Sequence, residues 1–160
     1  MNPVTVVFGS DHAGFELKNR LLRALADEGY KTVDAGTYSA ASCDYPVYAE
    51  AACRLLLAGE ADLGILVCGT GIGMSLAANK IPGIRAACCS DAYSAKYTRL
   101  HNDANVLCIG ARVVGEGLAL QLAHEFLETP FDTEHPNHRR RIGEIAALEA
   151  GETLQTHPGT

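Results

Sequence analysis

Residues 68–73 read Cys-Gly-Thr-Gly-Ile-Gly, and they join an apolar segment to a helical one. The preceding residues 63–67 are predicted to form a buried strand, and a helix is predicted from about Gly73. Glycines allow a tight turn whose backbone N–H groups can face a ligand, and a helix N-terminus adds partial positive charge. Such a field favours the reactive thiolate of a cysteine. The segment therefore predicts that Cys68 is a base or nucleophile beside an anion-binding turn.

The same turn has plainer interpretations. Its glycine spacing fits neither the dinucleotide-binding fingerprint nor the phosphate loop of nucleotide hydrolases. Glycine-rich strand-to-helix turns can serve close packing alone, and free cysteine is among the most buried residue types. A structural Cys68 in a packing turn is the alternative to the catalytic interpretation.

Composition narrows the functional classes. The chain has 160 residues, of which 48% are hydrophobic and 20% charged, with a formal net charge of −6. The negative charge argues against binding to nucleic acid or to an anionic membrane surface. The sequence shows neither a bilayer-spanning segment nor a leader, so a cytoplasmic location is expected. The six cysteines include no CxxC pair and no zinc spacing, which fits a reducing compartment.

Predicted strands and helices alternate along the whole chain. The strands are predicted near residues 4–8, 30–34, 63–67, 84–88 and 105–109, and a helix follows each of them. Strict alternation predicts a parallel sheet with helices on both faces. Residues 1–150 are expected to form a single domain, and residues 151–160 a loose C-terminal tail.

Polar residues follow the predicted strands at the points where ligands bind in such sheets. Ligands bind beyond the carboxyl ends of parallel strands. Four segments are expected to gather there: Asp11 with His12, Asp44 with Tyr45, residues 68–73, and Arg112.

Several longer motifs resemble one known family. They are GSDHAGFELK, DAGTYS, DYP, GILVCGTGIGMSLAANKIPGIRA, YSAKYTRLHNDANVL and GARVVG, which together extend from about residue 4 to 148. They are similar to the type B ribose-5-phosphate isomerases, a family that also includes galactose-6-phosphate isomerase subunits. The resemblance implies a three-layer, flavodoxin-like (Rossmann-type) α/β sandwich with a five-stranded parallel sheet, in the order 2-1-3-4-5. It also implies a homodimer, possibly a tetramer, that needs no metal or other cofactor.

The implied reaction is aldose–ketose isomerisation of a sugar phosphate through a cis-enediolate. By resemblance, Cys68 removes the C2 proton of the aldose and Thr70 assists the transfer. His101 is implied as the acid that opens the sugar ring, and Asp11 as its helper. Without the resemblance, His101 reads as a histidine near a helix C-terminus and Asp11 as a helix N-cap. The backbone N–H groups expected to hold the enediolate oxygens are those of Gly69, Gly71 and Gly73.

Further residues are implied as substrate ligands. His12, Tyr45 and Asn102 are expected near the sugar, and Arg112, His138 and Arg141 near the phosphate, where arginine binds bidentately. The chain departs from the family pattern at Asn137, where relatives carry arginine, and it has extra arginines at 139 and 140. The resemblance further implies that the partner subunit supplies His101, Asn102, Arg112 and Arg141.

Three functions remain open from the sequence. The first is isomerisation of ribose 5-phosphate and ribulose 5-phosphate. The second is the same chemistry on another sugar phosphate, such as tetrulose 4-phosphate, allose 6-phosphate or galactose 6-phosphate, because Asn137 alters the phosphate site. The third is a non-catalytic sugar-phosphate-binding module, since flavodoxin-like folds host many functions.

Overall fold

A computed structural model of the chain describes residues 3–156. Five strands alternate with six helices, and the last two elements are both helical. In chain order the elements are β1 (Thr5–Ser10), α1 (Phe15–Asp27), β2 (Lys31–Asp34), α2 (Tyr45–Leu57), β3 (Leu63–Cys68), α3 (Ile72–Ala78), β4 (Ala86–Cys88), α4 (Ala92–Asn102), β5 (Val106–Gly110), α5 (Glu116–Glu128) and α6 (Pro136–Glu149).

The strands form one parallel sheet in the order β2-β1-β3-β5-β4. The three-layer α/β class agrees with the prediction, but the predicted order of the last two strands, 4 and then 5, is wrong. β5 is buried along its whole length, and its branched apolar side chains need cover on both faces. β4 has only three residues, Ala86 to Cys88, and they are partly exposed. The short strand with small side chains therefore takes the edge, and β5 lies against β3.

Side chains alternate between two core layers. On one face, Phe8, Ile65 and Leu107 pack under α1, α4 and α5. On the other face, Val7, Leu66 and Cys68 pack under α2 and α3. Because neighbouring residues of a strand point to opposite faces, the last residue of β3 directs its thiol towards α3.

The start of α1 lies unusually close to β3. A Cβ atom on Gly14 would lie 2.2 Å from the carbonyl oxygen of Val67, so only glycine fits there. After α6, residues 152–156 have no regular secondary structure and are exposed, and the rest of the predicted tail lies outside the described residues. Within residues 3–156, no helix is both long and apolar enough to cross a membrane.

Candidate active site

A cavity of about 240 Å³ opens at the carboxyl edge of the sheet. It lies beyond the ends of β1, β3 and β5, so three parallel strands supply most of its wall. Its lining residues are Asp11, His12, Ala13, Tyr45, Cys68, Gly69, Thr70, Gly73 and Arg112.

The turn after β3 holds the thiol by a backbone hydrogen bond. Gly71 adopts a left-handed conformation, with φ of 78°, and its N–H donates to Sγ of Cys68 at 3.1 Å. The thiol is buried at 4% exposure, and it lies in the wall of the cavity. Oγ1 of Thr70 accepts the N–H of Ile72 at 3.3 Å, which orients the threonine beside the cysteine. The sulfur is therefore an acceptor in a rigid turn.

The turn after β1 fixes two polar side chains. Oδ1 of the buried Asp11 accepts the N–H of Gly14 at 3.0 Å, which ties the carboxylate to the residue before α1. Nδ1 of His12 accepts the backbone N–H of Cys43 at 3.2 Å. A neutral His12 ring therefore carries its proton on Nε2.

An aromatic ring and a guanidinium close the sides of the cavity. The ring of Tyr45 packs so tightly on Gly73 that a Cβ there would lie 3.0 Å from ring carbons. The Arg112 guanidinium covers Gly69, with Nη1 3.1 Å from the position of a Cβ. The N–H of Arg112 also donates to the carbonyl of Gly69 at 3.0 Å, so the arginine is anchored beside the turn.

A second group of predicted residues lies where α4 ends and α6 begins. The rings of His101 and His138 have centroids 4.5 Å apart, and His135 stacks on His138 at 4.3 Å. We call these three residues the histidine cluster. Asp132 borders the cluster, with Oδ2 3.7 Å from Nδ1 of His138, and its N–H donates to the carbonyl of Leu100.

His138 is the buried member of the histidine cluster. Burial lowers the pKa of His138 from its ordinary value, and the positive charges of His135 and His101 lower it further. The carboxylate of Asp132 opposes this effect. Nδ1 of His138 is buried and has no hydrogen-bond partner in the described part of the chain. A neutral His138 ring is therefore the expected state.

Within one chain, the cavity lies at the carboxyl ends of the strands and the histidine cluster lies towards their amino ends. α4 starts beyond the carboxyl end of β4 and ends near the amino end of β5. Its 11 residues span about 16 Å, so His101 lies far from the Cys68 cavity of the same chain.

Most of the other thiols are held protonated. Burial raises the pKa of Cys53 and of Cys89 to about 11, and it raises that of Cys108 well above the ordinary value. Burial and the nearby Cys68 also raise the pKa of Cys88. Among residues 3–156, no group of three or more His, Cys, Asp or Glu side chains is arranged to hold a metal ion.

The structure thus divides the predicted site residues into two sets. The cavity is lined by Asp11, His12, Tyr45, Cys68, Gly69, Thr70, Gly73 and Arg112, and Gly71 belongs to the same turn but does not line the cavity. His101, Asn102, Asn137, His138 and Arg141 lie on or beside the distant α4–α6 junction. Asp44 does not line the cavity, and it precedes α2 as its N-cap residue.

Two residues that position site side chains were not predicted from the sequence. The backbone N–H of Cys43 orients His12, and a backbone group leaves no signal in residue types. Asp132 accepts the N–H groups of Glu134 and His135, and it faces His138. An Asp three residues before the His at the start of a helix is a turn signal that could have indicated it.

The fold and the cavity define a three-layer α/β protein with a small site beyond the carboxyl ends of its parallel strands. The family model described as Ribose/Galactose Isomerase matches residues 6–145. Ribose-5-phosphate isomerase B of Escherichia coli is 45% identical over 144 residues, which cover 90% of this chain and 95% of that protein. Galactose-6-phosphate isomerase subunit LacB of Clostridium acetobutylicum is 34% identical, over 96% of this chain and 90% of that protein.

The fold is also similar to that of solved structures of ribose-5-phosphate isomerases. The ribose-5-phosphate isomerase B of Clostridium thermocellum superposes with a TM-score of 0.89 at 43% identity, over 92% of this chain and 98% of the other. The chain belongs to the ribose/galactose isomerase family, and with it to the sugar-phosphate aldose–ketose isomerases.

Proposed function

We propose that the chain interconverts ribose 5-phosphate and ribulose 5-phosphate, with Cys68 as the catalytic base. The observation that carries the proposal is the sulfur itself. It lies in the wall of the cavity, accepts a backbone hydrogen bond, and has Asp11, Thr70 and Arg112 around the same space. The identity to ribose-5-phosphate isomerases supports the choice of a pentose phosphate.

The proton transfer can be written at the level of atoms. The Cys68 thiolate takes the hydrogen from C2 of the open-chain aldose, and the electrons of that C–H bond form the C1–C2 double bond. The carbonyl π electrons move to O1, which becomes the enediolate oxygen. The proton of the C2 hydroxyl then passes to O1, which becomes the C1 hydroxyl, while the thiol returns its proton to C1 and a ketone forms at C2. Thr70 hydrogen-bonds the hydroxyls and assists this second proton shift.

Backbone donors stabilise the negative charge that develops on oxygen. Gly69 and Gly73 line the cavity and supply N–H groups for the enediolate, as preorganised donors do in other enzymes. The N–H of Gly71 is donated to the sulfur in the free protein, so its use by substrate requires an exchange of partners. Such an exchange would occur as the sulfur gives up its negative charge.

The remaining chemistry comes from a second subunit. His101 opens the furanose ring, Asn102 binds a hydroxyl, and Arg141 binds the phosphate with His138 and Asn137. These residues lie too far from the Cys68 of their own chain, so a homodimer must bring them together. Arg112 lines the Cys68 cavity of its own chain, and this placement departs from the expectation that the partner supplies it.

Exposed apolar side chains on α3, the helix that follows the Cys68 turn, indicate a surface that a partner subunit could cover. Ile72 and Leu76, four residues apart on one side of α3, are 55% and 61% exposed. Large apolar side chains grouped on one surface commonly mark an interface. This face of the chain is where we place the partner.

A second candidate is the same reaction on a different sugar phosphate. The observation that favours it is Asn137, which replaces a phosphate-binding arginine, together with the extra Arg139 and Arg140. A related protein named as a galactose-6-phosphate isomerase subunit shows that hexose phosphates occur in this family.

A substrate screen tests the proposal. The purified protein is assayed for isomerisation of ribose 5-phosphate, erythrose 4-phosphate, allose 6-phosphate and galactose 6-phosphate under identical conditions. We expect the highest kcat/KM for ribose 5-phosphate. A higher value for a tetrose or a hexose phosphate would favour the second candidate, and no turnover of any of the four would overturn the proposed function.

A further inference from the structure

Arg85, in the loop before β4, hydrogen-bonds the C-terminal end of α4. It lies between α3 and β4, outside the Cys68 cavity. Its Nε donates to the carbonyl of Asn102 at 3.0 Å and to that of Asp103 at 3.1 Å. Its Nη2 donates to the same Asp103 carbonyl at 2.8 Å and to Oδ2 of Asp103 at 3.3 Å. One guanidinium therefore binds two carbonyls and a carboxylate.

These carbonyls are the ones that a helix leaves unpaired. The last C=O groups of an α-helix have no partner within the helix, and positive charge is favourable there. Asp103 ends α4 in a left-handed conformation, with φ of 45°. Arg99 binds Oδ1 of Asp103 at 2.7 Å and the carbonyl of Ala104 at 2.7 Å. Asp103 is thus held from two sides, directly after His101 and Asn102.

Arg85 is itself held in place by two asparagines. Oδ1 of Asn105 accepts the backbone N–H of Arg85 at 2.8 Å, and Nδ2 of Asn105 donates to the carbonyl of Gly83. The side-chain amide of Asn79 bonds both the N–H and the carbonyl of Ala86. The loop from α3 to β4 is therefore fixed at both ends, and the guanidinium starts from a rigid base.

We propose that Arg85 is a positioning residue for His101 and Asn102. It fixes the last turn of α4, and thereby the direction in which both side chains are presented to the partner's cavity. The inference rests on the proposed function, because it assigns Arg85 to the half of the site that opens the sugar ring. Arg99 keeps Asp103 paired if Arg85 is replaced, so the replacement loosens the helix end without leaving the carboxylate alone.

The first test is kinetic. Arg85→Gln should lower kcat on ribose 5-phosphate by about tenfold or more, since small misplacement of a reacting group is costly. Arg85→Lys keeps the charge but cannot bind two carbonyls and the carboxylate together, so its loss should be intermediate. Arg54→Gln, which removes a guanidinium that pairs with Glu50 on the exposed face of α2, should leave kcat unchanged.

A double-mutant cycle separates positioning from general destabilisation. In the His101→Asn background, adding Arg85→Gln should lower kcat by less than about threefold, because His101, the reacting group that Arg85 positions, is already gone and only the placement of Asn102 is left to lose. Full additivity of the two losses would overturn the proposal. Arg85→Lys is carried through the same cycle, so that the test stands if Arg85→Gln fails to fold.

A readout without turnover keeps the two proposals distinguishable. In NMR spectra of the ring protons, Arg85→Gln should shift or broaden the signals of His101 and leave those of His12 unchanged. If the wild-type protein turns over no sugar phosphate, the proposed function fails and the NMR comparison still tests the link between Arg85 and His101. Unchanged His101 signals in Arg85→Gln would overturn that link.

Discussion

The Cys68 sulfur is held by the backbone three residues further along its own turn. Gly71 can donate this hydrogen bond because its left-handed conformation brings its N–H back towards Sγ. A Cβ on Gly71 would come within 3.0 Å of the Cys88 sulfur and 2.9 Å of the Ile109 carbonyl carbon. Both conformation and space therefore require glycine, and the thiol cannot be separated from the turn that holds it.

His138 should make the stability of the protein depend on pH. Because burial lowers its pKa in the folded state, the unfolded chain binds a proton more readily than the folded chain. The contribution of His138 to the free energy of unfolding is therefore fully present above pH 6.5, the ordinary pKa of histidine. It is lost as the pH falls through the lower pKa of the folded state. His138→Gln should reduce this loss.

Urea unfolding at pH 7.5 and pH 5.5 measures the effect. The wild-type protein should lose more free energy of unfolding between these two values than His138→Gln does. An equal loss in both proteins would show that the buried ring contributes nothing to the pH dependence.

At the scale of elements, the docking of α1 on β3 depends on one missing side chain. Gly14→Ala would place a methyl group 2.2 Å from the Val67 carbonyl oxygen, so the helix must move away from the strand. We expect the free energy of unfolding to fall by about 3 kcal/mol, the upper part of the range for overpacked cores. Chemical denaturation measures this change.

Gly143→Ala is the matched control for that substitution. Gly143 lies within α6, and nothing lies within 4 Å of where its Cβ would be. Replacing an open helical glycine by alanine should stabilise the protein by about 0.5–1 kcal/mol. Equal effects of the two substitutions would contradict the steric argument for Gly14.

The elements themselves were predictable from local patterns. Apolar runs located all five strands to within a few residues, and Pro46 marked the start of α2. The pairing of β3 with β5 was not predictable from chain order, because strands that follow one another in the sequence usually lie side by side, which favours pairing β3 with β4. Burial decided it, since Val106 to Ile109 need cover on both faces while Ala86 and Ala87 do not.

The cavity was predictable for a related reason. Parallel strands end at one edge, so Asp11, Cys68 and Arg112 had to lie close together. The α4–α6 junction was not predictable, because no periodicity states which helix end meets which. Its contacts include the tilted ring pair of His101 and His138, which lie 37 residues apart in the sequence.

At the scale of the whole molecule, each chain carries the predicted site residues in two separate groups. The cavity with Cys68 lies at the carboxyl edge of the sheet, and the histidine cluster lies towards the amino edge. The proposed mechanism needs Cys68 and His101 at one sugar, which these positions do not allow within one chain. The homodimer that we propose would bring the Cys68 of one subunit to the His101 of the other.

Mixing two inactive variants tests the shared site. Cys68→Ala and His101→Asn are each expected to be nearly inactive alone, but in the proposed dimer a heterodimer of the two would have one site with both residues intact. Co-refolding equal amounts should restore about a quarter of the wild-type activity, since half of the dimers are mixed and each has one good site. No gain over the separate variants would show that Cys68 and His101 do not meet across subunits.

The base role of Cys68 can be measured directly by steady-state kinetics and inhibitor binding on Cys68→Ala. A positioned general base contributes about 10²–10⁴-fold, so kcat should fall by about that factor. Affinity for a non-isomerisable pentonate 5-phosphate should stay within a few fold. Cys43→Ser, which changes a thiol outside the cavity wall, should keep its activity. If Cys68→Ala retains a kcat close to that of the wild type, the sulfur is not the base.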